Sequence, residues 1–545
     1  MNYSAIDITS KLKILNIRFS EHLTFICVFA IIYAIVIYSR GFFIKELLFF
    51  LMSNYQEISM FILYLVFMLG VGFYFFFKSK NQTEKGYFLG DRKMGAWVAA
   101  LSAGASDMSA WVLMGLPTSI YAAGLGQIWI AVGLAIGYTL SWIFEAPRLR
   151  CFSIEANDSI TIPQYLTNRF LSKSKALQII SAVVFLIAYT IYAASSIKAC
   201  GTLFNTVTGL ETRTAMYLAA VIVISYTFLG GFSAVSWTDF FQGMLILAAM
   251  LTVPIAAYVM IDAGTQAAAV QKIAAETPNF WNLFTNWQDI ISGLGWGLGY
   301  FGMPHIIIRF MSINSQQELR KSAKIGITWT LIILIFAAMV GIVGRMFLGF
   351  EADINQNSLV FVTMTRKIFP ALLSGILLSA VLAAAMSTAD SQLLAAASAF
   401  ASDVYRPLIR RDTASSKEML WASRTVVLII ALIALYIATS PDKNANMIMS
   451  LVSNAWGVFG AAFGPSIVLS LFWRRFTFSG AIAGIATGAI VDIAWLMYMS
   501  DTGVYEIVPG FFAGLIVAFV VALLSPKPRA EVEQLFDKAV SISKA

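Results

Sequence analysis

From Glu57 onward, apolar runs alternate with short polar connections. A helix needs roughly 20 apolar residues to cross about 30 Å of hydrocarbon. Thirteen segments are of that kind, over 57–77, 94–124, 127–147, 176–201, 214–233, 239–261, 287–308, 322–349, 369–402, 422–440, 446–473, 477–499 and 506–525, and they are numbered spans 1 to 13. No connection is long enough for a soluble domain, and only the polar stretch 527–545 follows Pro526. Residues 1–51 fit the pattern poorly. Leu23–Tyr38 is apolar but short, with Lys11, Lys13 and Arg18 before it and Arg40 and Lys45 after. No small-residue cleavage site follows, so a signal peptide is not predicted. Two readings stay open for 1–51: a short extra helix, or a misannotated start with the true one at Met52.

The placement of basic residues tests the alternation. One set of loops, with the tail, holds 25 of them: Lys78, Lys80, Lys85, Arg92, Lys93, Arg148, Arg150, Arg169, Lys173, Lys175, Arg309, Arg320, Lys321, Lys324, Arg406, Arg410, Arg411, Lys417, Arg424, Arg474, Arg475, Lys527, Arg529, Lys538 and Lys544. The other side has seven, counting Lys198 and Arg345 near span ends. Cytoplasmic loops carry the excess of Lys and Arg, so span 1 is predicted to start outside and the C-terminus to be cytoplasmic.

Composition agrees. Hydrophobic residues make up 59% of the chain and charged ones 12%, with a mean hydropathy of +0.78. Soluble proteins carry about 25% charged residues, so there is too little polar surface here for the three or four soluble domains that 545 residues would suggest. The fold class is an all-α polytopic membrane protein, with the lipid bilayer as its partner. The net charge of +8 then reports orientation, and no nucleic-acid partner is predicted. No obligatory protein partner is evident. Cys27, Cys151 and Cys200 are too scattered for a disulfide framework, and His22 and His305 are too few for a histidine metal or haem centre. There is no Gly-x-Ser-x-Gly elbow, His pair or acid pair at fixed helical spacing, so an enzyme is not expected.

Two spans are unusual. Span 2 covers about 46 Å if continuous, well beyond the hydrocarbon. Its middle, Leu101–Trp111, is packed with Ser, Gly and Ala around the lone acid Asp107. Such a segment can unwind and free carbonyls to line a cavity or hold an ion; the alternative is a tight packing seam with Asp107 bonded to a hydroxyl. Span 7 carries Ser292–His305 with five glycines and a proline, which predicts a second broken helix or, alternatively, close packing by small residues. The two lie five spans apart, so they enter from opposite sides, as an inverted repeat requires. Interrupted spans at matching positions of two inverted halves point to a transporter site. A third cluster, Ala384–Gln392 in span 9, places Ala384, Ser387, Thr388 and Ser391 on one helix face with Asp390 at its flank. Hydroxyl and carbonyl oxygens suit an alkali cation; the competing reading has the hydroxyls bonding back one turn. The predicted organisation is an extension 1–51, a membrane transporter domain 52–526 with core repeats over about 94–261 and 287–473, and a cytoplasmic tail 527–545.

The runs Leu101–Pro117, Gly230–Asp239, Gly295–His305 and Met386–Thr388 closely resemble the sodium:solute symporter family, in particular its bacterial proline-carrying members. The resemblance extends from about Met52 to the tail. It implies thirteen spans, a five-plus-five inverted-repeat core and sodium-coupled uptake of L-proline across the inner membrane of a bacterium by alternating access. It also implies site residues. Sodium, as the co-transported ion, would be held by the carbonyls of Ala105, Met108 and Ala384 and the hydroxyls of Ser387 and Thr388, with Asp107 as the essential acid beside them. The substrate would contact Ser109, Trp111, Tyr192, Trp296, Tyr300 and Pro304. Arg92 and Asp239 match further functional positions, against plain readings as an orientation charge and a capping acid.

This chain departs from the family at two of these places. Ala110 replaces a glycine, and Asp390 replaces a neutral residue, which adds Asp390 to the coupling or gating candidates beside Arg92 and Asp239. Asp492 in span 12 is another intramembrane acid, read as structurally hydrogen-bonded or partly water-accessible, and Glu145, Lys198 and Arg345 are read as snorkelling to span ends. Symport of another small amino acid or a carboxylate, coupling to protons, and a proline-binding sensor are the competing functions. The absence of a signalling domain weighs against the last.

Overall fold

The computed structural model describes residues 55–78, 83–229, 231–411, 413–440 and 448–544. The readings placed on 1–51 and on Lys80, Gly230 and Lys443 fall outside the described residues. Among the described residues the chain is helical throughout, and backbone pairing of the β type is limited to one isolated bridge between Met94 and Ile313.

Each of the thirteen segments forms helix. Ten are long and apolar enough to cross a membrane: Tyr55–Phe75, Leu125–Glu155, Ala176–Thr208, Phe232–Met260, Gln316–Leu348, Ala371–Ile409, Glu418–Ala438, Ile448–Phe472, Phe478–Tyr498 and Ile507–Leu524. The other three are span 5 (Thr212–Leu229) and the interrupted spans 2 and 7. Span 2 is Ala96–Asp107 followed, after a break, by Trp111–Gly115 and Leu116–Ala123. Span 7 is Trp287–Gly295, a tight turn of helix over Trp296–Phe301, and Pro304–Ser312. Both breaks expected from the small-residue runs are therefore present.

Among the described residues three helices widen to π geometry, over Trp111–Gly115, Ser141–Glu145 and Ala399–Ile409. Pro117 and Pro147 follow the first two by two residues, and Pro407 lies inside the third. Proline has no N–H to give the carbonyl four residues back and crowds it, and a wider turn absorbs that conflict without ending the helix.

The glycines of span 7 serve packing as well as the break, so the two readings of that run are both satisfied. A Cβ on Gly137 would lie 2.1 Å from the Gly297 carbonyl oxygen, and one on Gly133 would lie 2.1 Å from that of Gly293. Spans 3 and 7 thus touch backbone to backbone. Span 2 is enclosed by spans 6, 8 and 9, while spans 11, 12 and 13 pack together at one side. The connections hold more structure than expected, including helices Glu84–Leu89, Ile162–Arg169, Ala263–Glu276 and Val360–Ile368. The polar tail forms helix Ala530–Lys544, docked through Arg474 on Glu533 and Asp537 and Lys538 on Glu155, all at 2.7 to 2.9 Å.

Several charged positions differ from expectation. Arg309 does not lie in a loop: it is 1% exposed, inside the bundle. Glu145 and Arg345 do not snorkel to water, since both are buried, Glu145 accepting from Ser141 at 2.8 Å and Arg345 paired with Glu276 at 3.3 Å. Asp492 is buried too, and neither of its carboxylate oxygens has a hydrogen-bond partner among the described residues. The hydrogen bond expected for it is not made, because the small residues of spans 11 and 13 that surround it offer no donor.

Candidate cation and substrate site

The break in span 2 begins where Met108 leaves the helical region, at φ −78° and ψ 69°. In an unbroken helix the Ser109 N–H would bond to the Ala105 carbonyl. It turns back to Asp107 instead, at 2.9 Å, and the Trp111 indole N–H reaches the same Asp107 carbonyl at 3.2 Å. The carbonyl of Ala105, freed in this way, is met by span 9: Ser387 Oγ lies 2.8 Å from it and 3.1 Å from the Ala384 carbonyl. One hydroxyl proton shared between two carbonyls satisfies neither fully. Thr388 Oγ1, the neighbouring hydroxyl, is buried with no hydrogen-bond partner among the described residues. Oxygens of Ala105, Ala384 and Ser387 converge, the Thr388 hydroxyl is the next residue of the same helix, and all are hard ligands with oxygen valence to spare.

Asp107, two residues on from Ala105, is fully buried. Its carboxylate takes a hydrogen bond from Tyr300 Oη at 2.6 Å, which joins the breaks of spans 2 and 7. The other carboxylate oxygen has no partner among the described residues. Tyr300, assigned to the substrate by resemblance, is therefore also the donor that orients Asp107.

The remaining substrate candidates lie along an aromatic wall. Trp296 is tilted against Trp111 at 6.1 Å, Trp456 at 6.3 Å and Tyr505 at 5.0 Å between ring centroids, and Trp456 donates to the Trp296 carbonyl at 2.8 Å. Pro304 opens the second half of span 7, where its missing N–H costs nothing. The next N–H, that of His305, donates to Tyr189 Oη at 2.9 Å. Tyr189, rather than Tyr192, thus caps this helix N-terminus; Tyr192 is buried one turn away on span 4 and Ser109 is buried at the span 2 break. All these residues are buried.

Asp239 is neither exposed nor a cap. It is fully buried and paired with Arg309 at 3.0 Å, and the same oxygen accepts from Ser102 at 2.7 Å and Ser106 at 3.1 Å. Arg309 also donates to Ser102 at 2.9 Å, to Ser391 at 2.6 Å and to the His305 carbonyl. Ser391 in turn lies 2.9 Å from Ser106 and 3.3 Å from a carboxylate oxygen of the buried Asp390. Spans 2, 6, 7 and 9 meet in this one polar web, directly beside the Ala105 and Ser387 oxygens. Sequence reasoning missed Arg309 as a member. The available signal was a lone arginine inside the apolar run His305–Met311.

Arg92 belongs to a separate cluster, at the end of the molecule where span 2 begins. It donates to Asp158 at 3.0 Å, Ser153 at 3.1 Å and the carbonyls of Met311 at 2.6 Å and Ser159 at 2.8 Å. Burial pulls the guanidinium pKa below its usual range, and the carboxylate of Asp158 opposes that shift.

The comparisons with known proteins agree with this architecture. The family model described as the sodium:solute symporter family matches residues 87–488. A high-affinity proline transporter of Bacillus subtilis is 40% identical over 473 residues, covering 86% of this chain and 98% of that protein. A sodium/proline symporter of Staphylococcus aureus is 40% identical over 503 residues, or 90% of this chain and 97% of that protein. Among solved structures, the substrate-bound outward-open state of a Na+-coupled sialic acid symporter matches with a TM-score of 0.72 at 20% identity, covering 87% of this chain and 99% of that one. It shares the fold. With a family model over most of its length and relatives matched nearly end to end, this chain belongs to the sodium:solute symporter family, a family of multi-pass membrane transporters and not of enzymes.

Proposed function

We propose that this protein couples the inward movement of sodium to uptake of L-proline across the cytoplasmic membrane of a bacterium. The observation that carries the reading is the likeness to two proline transporters, each covered almost completely by this chain. Sodium takes the carbonyls of Ala105, Met108 and Ala384 and the hydroxyls of Ser387 and Thr388, with Asp107 poised by Tyr300 beside them. Proline lies against Trp111, Tyr192, Trp296, Tyr300 and Pro304, with Ser109 at the break. An apolar aromatic wall suits the pyrrolidine ring. Arg92, Asp239 and Asp390 serve gating and coupling. The transporter domain runs over 52–526, with core repeats over about 94–261 and 287–473, thirteen crossings and the tail 527–545 in the cytoplasm.

Coupling requires sodium to bind one state of the carrier better than the other, and each ligand then raises the affinity of the other by the same factor. The test is uptake of labelled L-proline by cells without their own proline carriers, with external sodium present or replaced by choline. Accumulation that needs sodium, and that Asp107→Asn and Ser387→Ala each abolish, is the expected result. Uptake indifferent to sodium overturns the ion assignment, and no proline uptake from inserted protein overturns the substrate.

A further inference from the structure

Outside the core, two acids converge where span 12 ends and span 13 begins. Asp492 is fully buried, and both its carboxylate oxygens are without a hydrogen-bond partner among the described residues. Glu506, at the head of Ile507–Leu524, is 8% exposed and its Oε1 is likewise unpartnered. Both side chains point at the same bare patch of span 11. A Cβ on Gly457 would lie 2.9 Å from Asp492 Oδ1 and 3.3 Å from Glu506 Cγ. Gly510 leaves room on the other side, its Cβ position being 3.0 Å from that of Asp492. Neither acid enters an ion pair among the described residues.

Among the described residues the surroundings supply no counter-charge. Spans 11 and 13 carry no charged or titratable side chain over Ile448–Phe472 and Ile507–Leu524. The groups that face the pair are Tyr505, next to Glu506 in the chain, and Tyr192 of span 4 behind it, while Asp289 of span 7 is engaged by Thr285 and Asn286 at 2.8 Å. Asp492 Oδ1 and Glu506 Cγ lie 2.9 and 3.3 Å from one Cβ position on Gly457, so no more than the sum of those two distances separates them. In an apolar site two carboxylates that near cannot both stay ionised, and one proton on the pair removes the repulsion.

We propose that Asp492 and Glu506 form a proton site, separate from the sodium and proline site, that holds a single shared proton. The pair is wired to the substrate wall. Tyr505, one residue from Glu506, covers Trp296 and donates to the Ser453 carbonyl at 2.7 Å. The Tyr505 N–H donates to Ser292 Oγ at 3.0 Å, and Ser292 donates to the Gly503 carbonyl at 3.1 Å, which ties the segment 503–506 to the first helix of span 7. Loss of the proton makes the pair doubly negative and drives Glu506, with Tyr505, away from Asp492.

Infrared difference spectroscopy of the full chain in lipid nanodiscs tests this without reference to the solute carried. The wild type should show a protonated-carboxyl C=O band that titrates away as pH rises. Asp492→Asn and Glu506→Gln should each, alone, remove the whole of the component that the double variant removes, because the introduced amide donates to the remaining carboxylate and makes the proton unnecessary. A band halved by each variant means two independent protons and overturns the shared site. A band that sodium chloride bleaches at fixed pH assigns the pair to sodium and overturns the proton. No titrating band in the wild type overturns the proposal even if both variants fail to fold.

Discussion

Arg309 gives four hydrogen bonds inside the bundle and lies 5.6 Å over the ring of Phe232. A charge is stable there only because Asp239 and two serines complete its bonding. Removing one partner of a buried pair leaves the other uncompensated, at a cost of about 3–5 kcal/mol. Arg309→Ala should therefore lower the unfolding temperature of the purified protein steeply. Arg309→Ala combined with Asp239→Asn should recover most of the loss, since the orphaned charge is gone. Arg309→Lys keeps the charge but not the planar fork that reaches Ser102, Ser391 and Asp239 together, and should fall between. A double variant as unstable as Arg309→Ala alone would show that the pair is not the reason for the loss. The acids Asp107 and Asp390 were legible in the sequence because each interrupts an apolar run. Arg309 was not, because a cation directly after the predicted end of span 7 at 308 reads as the first residue of a loop.

At the scale of elements, the glycines of spans 3 and 7 decide how close the two helices come. Gly137→Ala places a methyl 2.1 Å from the Gly297 carbonyl oxygen, and backbone on both sides leaves it no way to yield. Overpacking of this kind costs about 1–3 kcal/mol. The same substitution at Gly70, in Tyr55–Lys78, meets nothing within 4 Å and serves as the control. Thermal unfolding in detergent should separate the two, with Gly137→Ala melting lower and Gly70→Ala unchanged or slightly higher. Equal midpoints would mean that spans 3 and 7 part without loss. The helices and both breaks followed from apolar length and from runs such as Ser-Gly-Leu-Gly-Trp-Gly-Leu-Gly. Which carbonyl a break frees was implied by the resemblance and not by spacing, because it depends on the Ser109 N–H choosing Asp107 over Ala105, and no spacing rule encodes that choice. The short helices between spans were missed for a related reason: stretches such as Val360–Ile368 are too brief for an apolar run and are held by the bundle they pack on.

For the molecule as a whole, the start of span 2 and the end of span 7, on the side that the basic residues predict to be inner, are held as one unit. Met94 N–H donates to the Ser312 carbonyl at 3.2 Å and Asn314 N–H to the Met94 carbonyl at 3.1 Å. Arg150 adds bonds to the Ile313 carbonyl at 2.8 Å and the Asn314 carbonyl at 2.6 Å, while Arg92 ties Met311 to the loop around Asp158. Alternating access requires this latch to open in one state and close in the other. Cys151 reports on it, being 2% exposed and 2.7 Å from the Gln316 amide just beyond span 7, whereas Cys200 is buried in span 4. Arg92→Ala removes four bonds from the latch and should shift the population toward the open inner side. A shift of one or two kcal/mol changes such a ratio roughly 5- to 30-fold. Maleimide labelling resolved by mass spectrometry should therefore speed up by about that factor at Cys151 and stay constant at Cys200. Sodium, if it favours the state with the inner side closed, should slow labelling of the wild type at Cys151. Acceleration at both cysteines would mean general loosening, and none at Cys151 would mean that Arg92 does not hold the inner side closed.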